Sequence, residues 1–308
     1  MSILVVGSVA LDTVKTPFGQ VIDVLGGSAS YFSTAASYFS DINLVAVVGE
    51  DFPDEHVELM KGRNIDLTGL QRMPGKTFRW VGEYGYDLNE ARTHSTCLNV
   101  FESFRPHIPD NYKDSPYVFL ANIDPELQLD VLKQVNDPEL VALDTMNFWI
   151  EGKAEALRET LRHVNVLIIN EAEARQLTQE YHLLHAARAL LSWGPWALVI
   201  KRGSYGALLF TSESIFSAPA YIMDKVFDPT GAGDSFAGGF MGYLENTHNT
   251  TEASIRQAII FGSVMASFNC ENFSVQRLSN LTYQEIEQRF REFRQLTHFD
   301  DLTGSIRR

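Results

Sequence analysis

The stretch DPTGAGDSFAGGF, residues 228–240, sets Asp234 directly behind Gly231, Ala232 and Gly233, then runs into an apolar, helix-like segment. A turn of small residues that enters a helix leaves several backbone N–H groups unpaired and pointing one way, and the helix dipole adds partial positive charge there. Together these make an anion site, and glycines let the backbone approach the anion with no side chain between. A bound phosphate repels a carboxylate, so Asp234 makes sense there if it must reach the hydroxyl that attacks that phosphate. Phosphoryl transfer is mostly positioning and charge stabilisation, with a carboxylate that takes the nucleophile's proton as a recurring part. The segment reads as an anion hole beside a base. A bare Gly-Asp pair would read instead as a helix cap over a tight turn, since aspartate is common at helix starts.

Competing motifs fail on spacing or context. GLQRMPGKT (69–77) has five residues between Gly69 and Gly75 where a P-loop has four, and it leads into strand-like FRWVGEYGY rather than a helix. Phe236 stands where a dinucleotide fingerprint needs its third glycine. There is no HExxH and no GxSxG. His182 and His185 lie three apart with no third ligand near in sequence, so they read as solvated helix positions.

The elements that must hold these residues alternate along the chain. The runs ILVVGSVA (3–10), LVAVVGE (44–50), YVFLANI (117–123), LVALD (140–144), VLIIN (166–170) and ALVIKRG (197–203) are apolar on successive residues. Such runs predict strands covered on both faces of a sheet. Between them SASYFSTAASYF, PELQLDVLKQV, GKAEALRETLRH and EAEARQLT carry helical patterns. Alternation of this kind predicts an α/β fold, a doubly wound and mostly parallel sheet flanked by helices. Near the end, Ile255, Ile259, Gly262 and Ala266 recur at helical spacing, and Ala258 and Met265 widen the stripe until the helix is buried almost all round. Two segments, 12–24 and 76–100, break the alternation and predict a small β lid beside a core of 1–11, 25–75 and 101–308. Ordinary edge hairpins with no role in a site are the alternative reading of them. An exposed lid would also offer edges for pairing in a homodimer.

Hydrophobic residues make up 45% and charged residues 21%, enough for a sizeable core. The 25 basic and 39 acidic residues leave a net charge of −14, which argues against a general nucleic-acid or membrane-surface binder and leaves room for a local basic pocket. Cys97 and Cys270 form no metal-like pair and fit a reducing, cytoplasmic setting. The N-terminal apolar run is short and lacks a basic leader, so it reads as a strand, and no run reaches membrane-spanning length.

The segment 228–240 closely resembles the C-terminal signature of the PfkB, or ribokinase-like, carbohydrate and nucleoside kinases. GSVALD (7–12), GGSASYF (26–32), VVGEDFPDEH (47–56), NEAE (170–173) and KRGSYGA (201–207) fall in that family's order along essentially the whole chain. The resemblance implies an α/β kinase with a β lid, ATP as donor and Mg²⁺ as cofactor. Its acceptor would be a hydroxymethyl or similar alcohol on a sugar or nucleoside. Asp234 matches the family's base, and Gly231, Ala232 and Gly233 match the anion hole whose amides stabilise charge on the transferred group. Asp12 matches a carboxylate that binds acceptor hydroxyls. It can accept two at once, which suits a vicinal diol, although it also reads as a polar strand terminus at the end of the first strand. Gly26 and Gly27 match paired glycines over which the acceptor lies, or form a plain loop-to-helix turn. Asn170 and Glu173 match an NxxE motif tied to Mg²⁺ and phosphate, with contact through water suiting a hard cation; Glu173 reads equally as a capping residue. Lys201, Gly203 and Gly206 fall where the family's loop approaches ATP, and Lys201 either pairs with phosphate oxygens or is a solvated strand end. Asp228 matches a position that contributes to a monovalent-cation site, for K⁺, in some members.

Departures from the pattern bear on the acceptor. Tyr31 stands where the family commonly has an asparagine that holds sugar hydroxyls; it offers a phenol and an aromatic face. Phe78 and Trp80 alternate to one side of a lid strand, where they either stack on a nucleobase or pack the lid. LDTMNFWI (143–150) lacks the proline and asparagine that follow the aspartate in the sugar-kinase form, which places Asp144 and Asn147 outside the site. The acceptor is read as a small carbohydrate, with a nucleoside as the alternative. The alternative of another class is a catalytically silent nucleotide- or sugar-binding regulatory protein; the intact Gly-Ala-Gly-Asp argues against it.

Overall fold

The computed structural model describes residues 2–298 and 300. In β1 (Ser2–Val6), Ile3 and Val5 pack into one apolar cluster while Leu4 and Val6 pack into a second on the opposite face. A run of successive apolar residues encodes this two-sided burial, because side chains alternate faces along a strand. The chain continues through β2 (Ala10–Thr16), β3 (Gly19–Gly26), α1 (Ser28–Ala36), β4 (Asp41–Gly49), α2 (Asp54–Lys61), β5 (Ile65–Met73), β6 (Phe78–Tyr84) and β7 (Ala91–Cys97). It then alternates β8 (Tyr117–Leu120), α3 (Pro125–Leu132), β9 (Leu140–Asp144), α4 (Asn147–Gly152), α5 (Ala154–Leu161), β10 (Val166–Asn170), α6 (Glu171–Thr178), α7 (Leu183–Leu191) and β11 (Ala197–Lys201). It closes with β12 (Ala207–Thr211), β13 (Ile215–Ala218), α8 (Ala232–Thr247), α9 (Glu252–Asn269) and α10 (Tyr283–Thr297).

Nine strands form one sheet in the order β13-β12-β11-β10-β9-β8-β1-β4-β5. The pairs from β5 across to β11 are parallel, and β12 and β13 extend the sheet antiparallel at one edge. Side chains of α1, α8 and α9 fill one face; those of α3, α5, α6 and α7 fill the other. This is the doubly wound α/β arrangement that the alternation predicts. The close approach of α8 to its neighbours depends on its glycines. A Cβ on Gly238 would fall 2.4 Å from the Phe32 carbonyl oxygen in α1, and one on Gly239 would fall 2.6 Å from that of Phe261 in α9. The helix α9 buries Ile255, Ala258, Ile259, Gly262 and Met265, as its wide stripe predicts.

A second, four-stranded sheet has the order β3-β2-β6-β7, with β2 and β6 parallel and the outer pairs antiparallel. Arg79 on β6 reaches both Asp23 (3.3 Å) and Asp51 (2.7 Å), and so links this sheet to the loop after β4. No helix among the described residues is long and apolar enough to cross a membrane.

Some boundaries differ from the sequence reading. The run 3–10 is not one strand: β1 stops at Val6, the chain turns, and Ala10 opens β2 in the other sheet. The turn is fixed by α1, whose Ala29 N–H donates to the Ser8 carbonyl at 3.0 Å. Asp12 therefore lies inside β2 and not at the end of the first strand. Strand β5, the β12–β13 hairpin and α10 had no counterpart in the pattern. β5 is an edge strand whose burial is mixed along its length, so it lacks the continuous apolar run of its neighbours. Gly69 sits within β5 and Lys76 is exposed in the connection to β6, so no helix follows the P-loop look-alike.

Candidate active site

Strands β9, β10 and β11 are parallel neighbours, so their last residues, Asp144, Asn170 and Lys201, come together at one edge of the sheet. Ligands of doubly wound sheets bind outside these carboxyl ends. Lys201 Nζ lies 3.0 Å from Asp144 Oδ2, with little of either side chain exposed. The charges of Glu173 and Asp234 also bear on Lys201, and a Cβ on Gly233 would lie 3.0 Å from its Nζ. Lys201 thus joins the strand ends to the signature turn instead of standing in solvent. Asp144 lies within this cluster, although its departure from the sugar-kinase motif had set it aside; the sheet register, invisible to a motif, puts it there. Asn147 is exposed on α4.

Asn170 and Glu173 form a reciprocal capping box at the start of α6. The Glu173 N–H donates to Asn170 Oδ1 at 2.8 Å, and the Asn170 N–H donates to Glu173 Oε2 at 2.9 Å. The capping reading holds, and it leaves the Glu173 carboxylate near Lys201, Asp144 and Asp234.

The signature turn enters α8 through Gly231, which has φ 75° and ψ 3°. A side chain there would be strained by the left-handed backbone, and its Cβ would overlap the Tyr31 ring at 2.2 Å. Of the three amides the resemblance assigns to an anion hole, that of Ala232 donates to the Pro229 carbonyl at 3.1 Å in this conformation. Gly233 sits beside Lys201, and Asp234 follows on the first turn of the helix, half-buried. Asp228 is fully buried and accepts from the N–H of Thr230 (2.9 Å) and of Ser274 (3.4 Å). It braces the turn against the segment after α9.

Asp12 is buried and accepts a hydrogen bond from the Gly27 amide. Gly26 is small because the Asp12 carboxylate fills the space of a Cβ, at 1.9 Å; Gly27 has φ 92° and a Cβ would meet the Ser8 carbonyl at 2.5 Å. Trp80 pairs with Asp12 in the parallel β2–β6 register, so the two side chains share one face. Its indole N–H donates to Thr93 Oγ1 at 3.2 Å, and its ring covers Gly82. Phe78 instead stacks on Phe101, with ring centroids 5.3 Å apart, and packs the sheet against the loop after β7. Tyr84, four residues further along on the Trp80 face, reaches Thr230 of the signature turn, oxygen to oxygen at 3.5 Å. The sequence reading missed Tyr84, yet the period of two from Trp80 carries it. At the far tip of this sheet, Asn89 Oδ1 accepts from the Ser204 N–H at 3.2 Å and occupies the space of a Cβ on Gly203. Gly203 (φ 53°) and Gly206 (φ 88°) shape the tight turn between β11 and β12.

Burial dominates the electrostatics. It pushes Asp12 up to about 8, helped by the charge of Asp228 and opposed by the Gly27 amide. It raises Asp234 to about 7, helped by Asp144 and opposed by Lys201. Glu173 also rises to about 7 by burial, with Lys201 opposing and Asp144 adding. A base must be deprotonated, so kcat/KM should rise with pH through an acidic limb near 7 rather than near 4, the ordinary aspartate range. Stability should run the other way. The folded state holds protons on these carboxylates that the unfolded chain has released, so the stability of the ligand-free protein falls as pH rises from about 5 to 8. A pH–rate profile and melting curves over that range check both signs; activity flat down to pH 5 would remove the elevated base.

A profile of the family described as "pfkB family carbohydrate kinase" matches residues 5–282. The chain is 32% identical over 246 residues to a cytidine kinase of Thermococcus kodakarensis, covering 78% of this chain and 87% of that protein. It is 28% identical over 261 residues to a nucleoside kinase of Methanocaldococcus jannaschii, covering 82% and 80%. The crystal structure of a Methanocaldococcus jannaschii nucleoside kinase, titled an archaeal member of the ribokinase family, superposes with a TM-score of 0.76 at 22% identity, covering 94% of this chain and 98% of that one.

Proposed function

The chain belongs to the pfkB family of carbohydrate kinases and is a phosphotransferase of the ribokinase-like fold; from that premise we propose that its acceptor is a nucleoside, phosphorylated from ATP on the primary alcohol of its ribose. The observation that carries this reading is the register of β2 on β6. It sets the Asp12 carboxylate, suited to a vicinal diol, on the same face as the Trp80 indole, suited to a planar base. Two relatives that match about four-fifths of the chain are nucleoside kinases by name, which favours the nucleoside over the simple sugar. Asp234 acts as the base, the Gly233 amide and Lys201 meet the transferred phosphoryl group, and the turn at Gly203–Gly206 lies on the donor side.

Mg²⁺ fits these residues. No group of three or more His, Cys, Asp or Glu among the described residues forms a ready-made cage, and Mg²⁺ prefers one or two carboxylates with substrate phosphates and waters. Glu173 and Asp144 are placed for that share. K⁺ stays tied to the resemblance at Asp228, both of whose oxygens accept amide bonds here.

A panel of cytidine, uridine, adenosine, inosine and D-ribose with ATP and Mg²⁺, read by ADP release, tests the acceptor. Turnover of ribose with none of any nucleoside would sink the nucleoside reading. Trp80→Ala should raise the KM of the best nucleoside by about 5- to 150-fold, the equivalent of roughly 1–3 kcal/mol for a lost base–aromatic stack. An unaltered nucleoside KM in a folded Trp80→Ala protein, shown by circular dichroism, would remove Trp80 from the base site.

A further inference from the structure

Gly82 is the one buried residue of β6, although β7 beside it is exposed throughout. Its backbone does not call for a glycine, since its φ lies outside the left-handed region. The space of a side chain is taken instead by the Trp80 indole. A Cβ on Gly82 would fall 2.1 Å from Cη2, 2.3 Å from Cζ2 and 2.8 Å from Cζ3 of that ring. A ring presented edge-on brings two atoms that near and no third, so the indole lies face-down on the strand. A glycine inside a strand often marks such a close approach.

Strand β7 holds the other end of the indole. The β6–β7 register sets Trp80 opposite Thr96 and Val81 opposite Ser95, then skips His94 to set Gly82 opposite Thr93. A bulge of this kind re-aims the side chains beyond it. Without it Thr93 would pair with Glu83 and point to the other side of the sheet. With it, Thr93 Oγ1 accepts from the Trp80 indole N–H at 3.2 Å, while His94 Nε2 lies 3.0 Å from Glu83 Oε2. Gly82 thus sets the height of the ring, and Thr93 sets its rotation in the plane. The N–H is the only polar group of an indole, and it is spent on Thr93, so a ligand meets a bare aromatic face. That face is turned toward the signature turn, because Tyr84, two residues beyond Gly82 on the same side of β6, reaches Thr230 there. We propose that Gly82 and Thr93 are positioning residues for the base of the acceptor: they fix Trp80 as a stacking platform before the ligand arrives. This rests on reading the acceptor as a nucleoside. A side chain already held in its binding conformation loses less freedom on association. An aromatic ring over a glycine also shields a strand, but that role alone would act on stability and on every acceptor equally.

The test compares the best nucleoside of the panel with methyl β-D-ribofuranoside, which keeps the ribose and lacks the base. Each is measured by its KM, or by its inhibition constant where it is not turned over, in variants checked for folding by circular dichroism. Gly82→Ala should raise the nucleoside value about tenfold, within the range of one lost stack, and the methyl riboside value by less than about twofold. Thr93→Val should raise the nucleoside value about fivefold, the size of one hydrogen bond, and Thr93→Ser should restore it. In a Trp80→Ala background, Gly82→Ala should cost nothing further, because there is no ring to displace. A Gly82→Ala cost that persists without Trp80, or a loss that falls equally on both acceptors, overturns the proposal. Where Gly82→Ala fails to fold, the Thr93 variants make the same decision. A wild type that binds the nucleoside no better than the methyl riboside removes the nucleoside reading, and this role of Gly82 and Thr93 with it. A nucleoside preference that survives in both Gly82→Ala and Thr93→Val overturns the proposal and leaves the nucleoside reading standing.

Discussion

Asp234→Asn should lower kcat by at least about a hundredfold, within the 10²–10⁴ range of general acid–base catalysis, while the KM for ATP stays within about threefold. Asparagine keeps the size of the side chain but cannot accept the proton of the attacking hydroxyl. The backbone that carries it is held independently by Gly231 and by the bond from Ala232 to Pro229. Donor binding should persist because Lys201 keeps its ion pair to Asp144, and the Gly233 amide is untouched. The variant should also weaken the acidic limb of the pH–rate profile, since Asp234 no longer titrates there and only Glu173 still does. Steady-state kinetics with melting curves decide it: turnover near that of the wild type would remove Asp234 as the base.

What was legible in the sequence was what lies close together along the chain. Asp234, its glycines and the capping pair Asn170–Glu173 sit in short segments, where spacing alone fixes which groups face one another. The buried parallel strands were legible because both of their faces are covered, and that leaves an apolar run. Asp144 was missed because its place depends on β9 and β11 flanking β10, which brings it to Lys201 across 57 residues. Tyr84 was missed because its partner, Thr230, lies 146 residues away. The run 3–10 was misjudged because both halves are apolar; the break between two sheets at Gly7 is set by the docking of α1. Phe78 and Trp80 looked equivalent from their alternation, and only the tertiary neighbours separate them. Phe101 takes the first, and the second stands directly beside Asp12 in the register.

Exhaustive chelation should abolish turnover, and added Mg²⁺ should restore it. The reason lies in the charges already present. Asp144, Glu173 and Asp234 are three carboxylates around the single ammonium of Lys201, and a bound triphosphate adds several more negative charges. Two unit charges about 5 Å apart at an effective dielectric constant of about 20 repel by roughly 3 kcal/mol, so a donor without a counter-ion meets several such penalties at once. When bound, Mg²⁺ would be held by Glu173 and Asp144 beside the donor and would offset that charge. Glu173→Gln separates the two roles of this residue. Glutamine at the same helix position can still accept from the Asn170 N–H, so the capping box and the start of α6 survive. The negative charge does not. The Mg²⁺ concentration for half-maximal activity should therefore rise several-fold, by roughly three- to tenfold for the loss of about 1 kcal/mol of charge interaction, with the melting point little moved. Activity that persists after chelation would defeat the proposed mechanism as a whole. A Mg²⁺ requirement identical in Glu173→Gln would leave Glu173 as a helix cap and pass the metal role to Asp144.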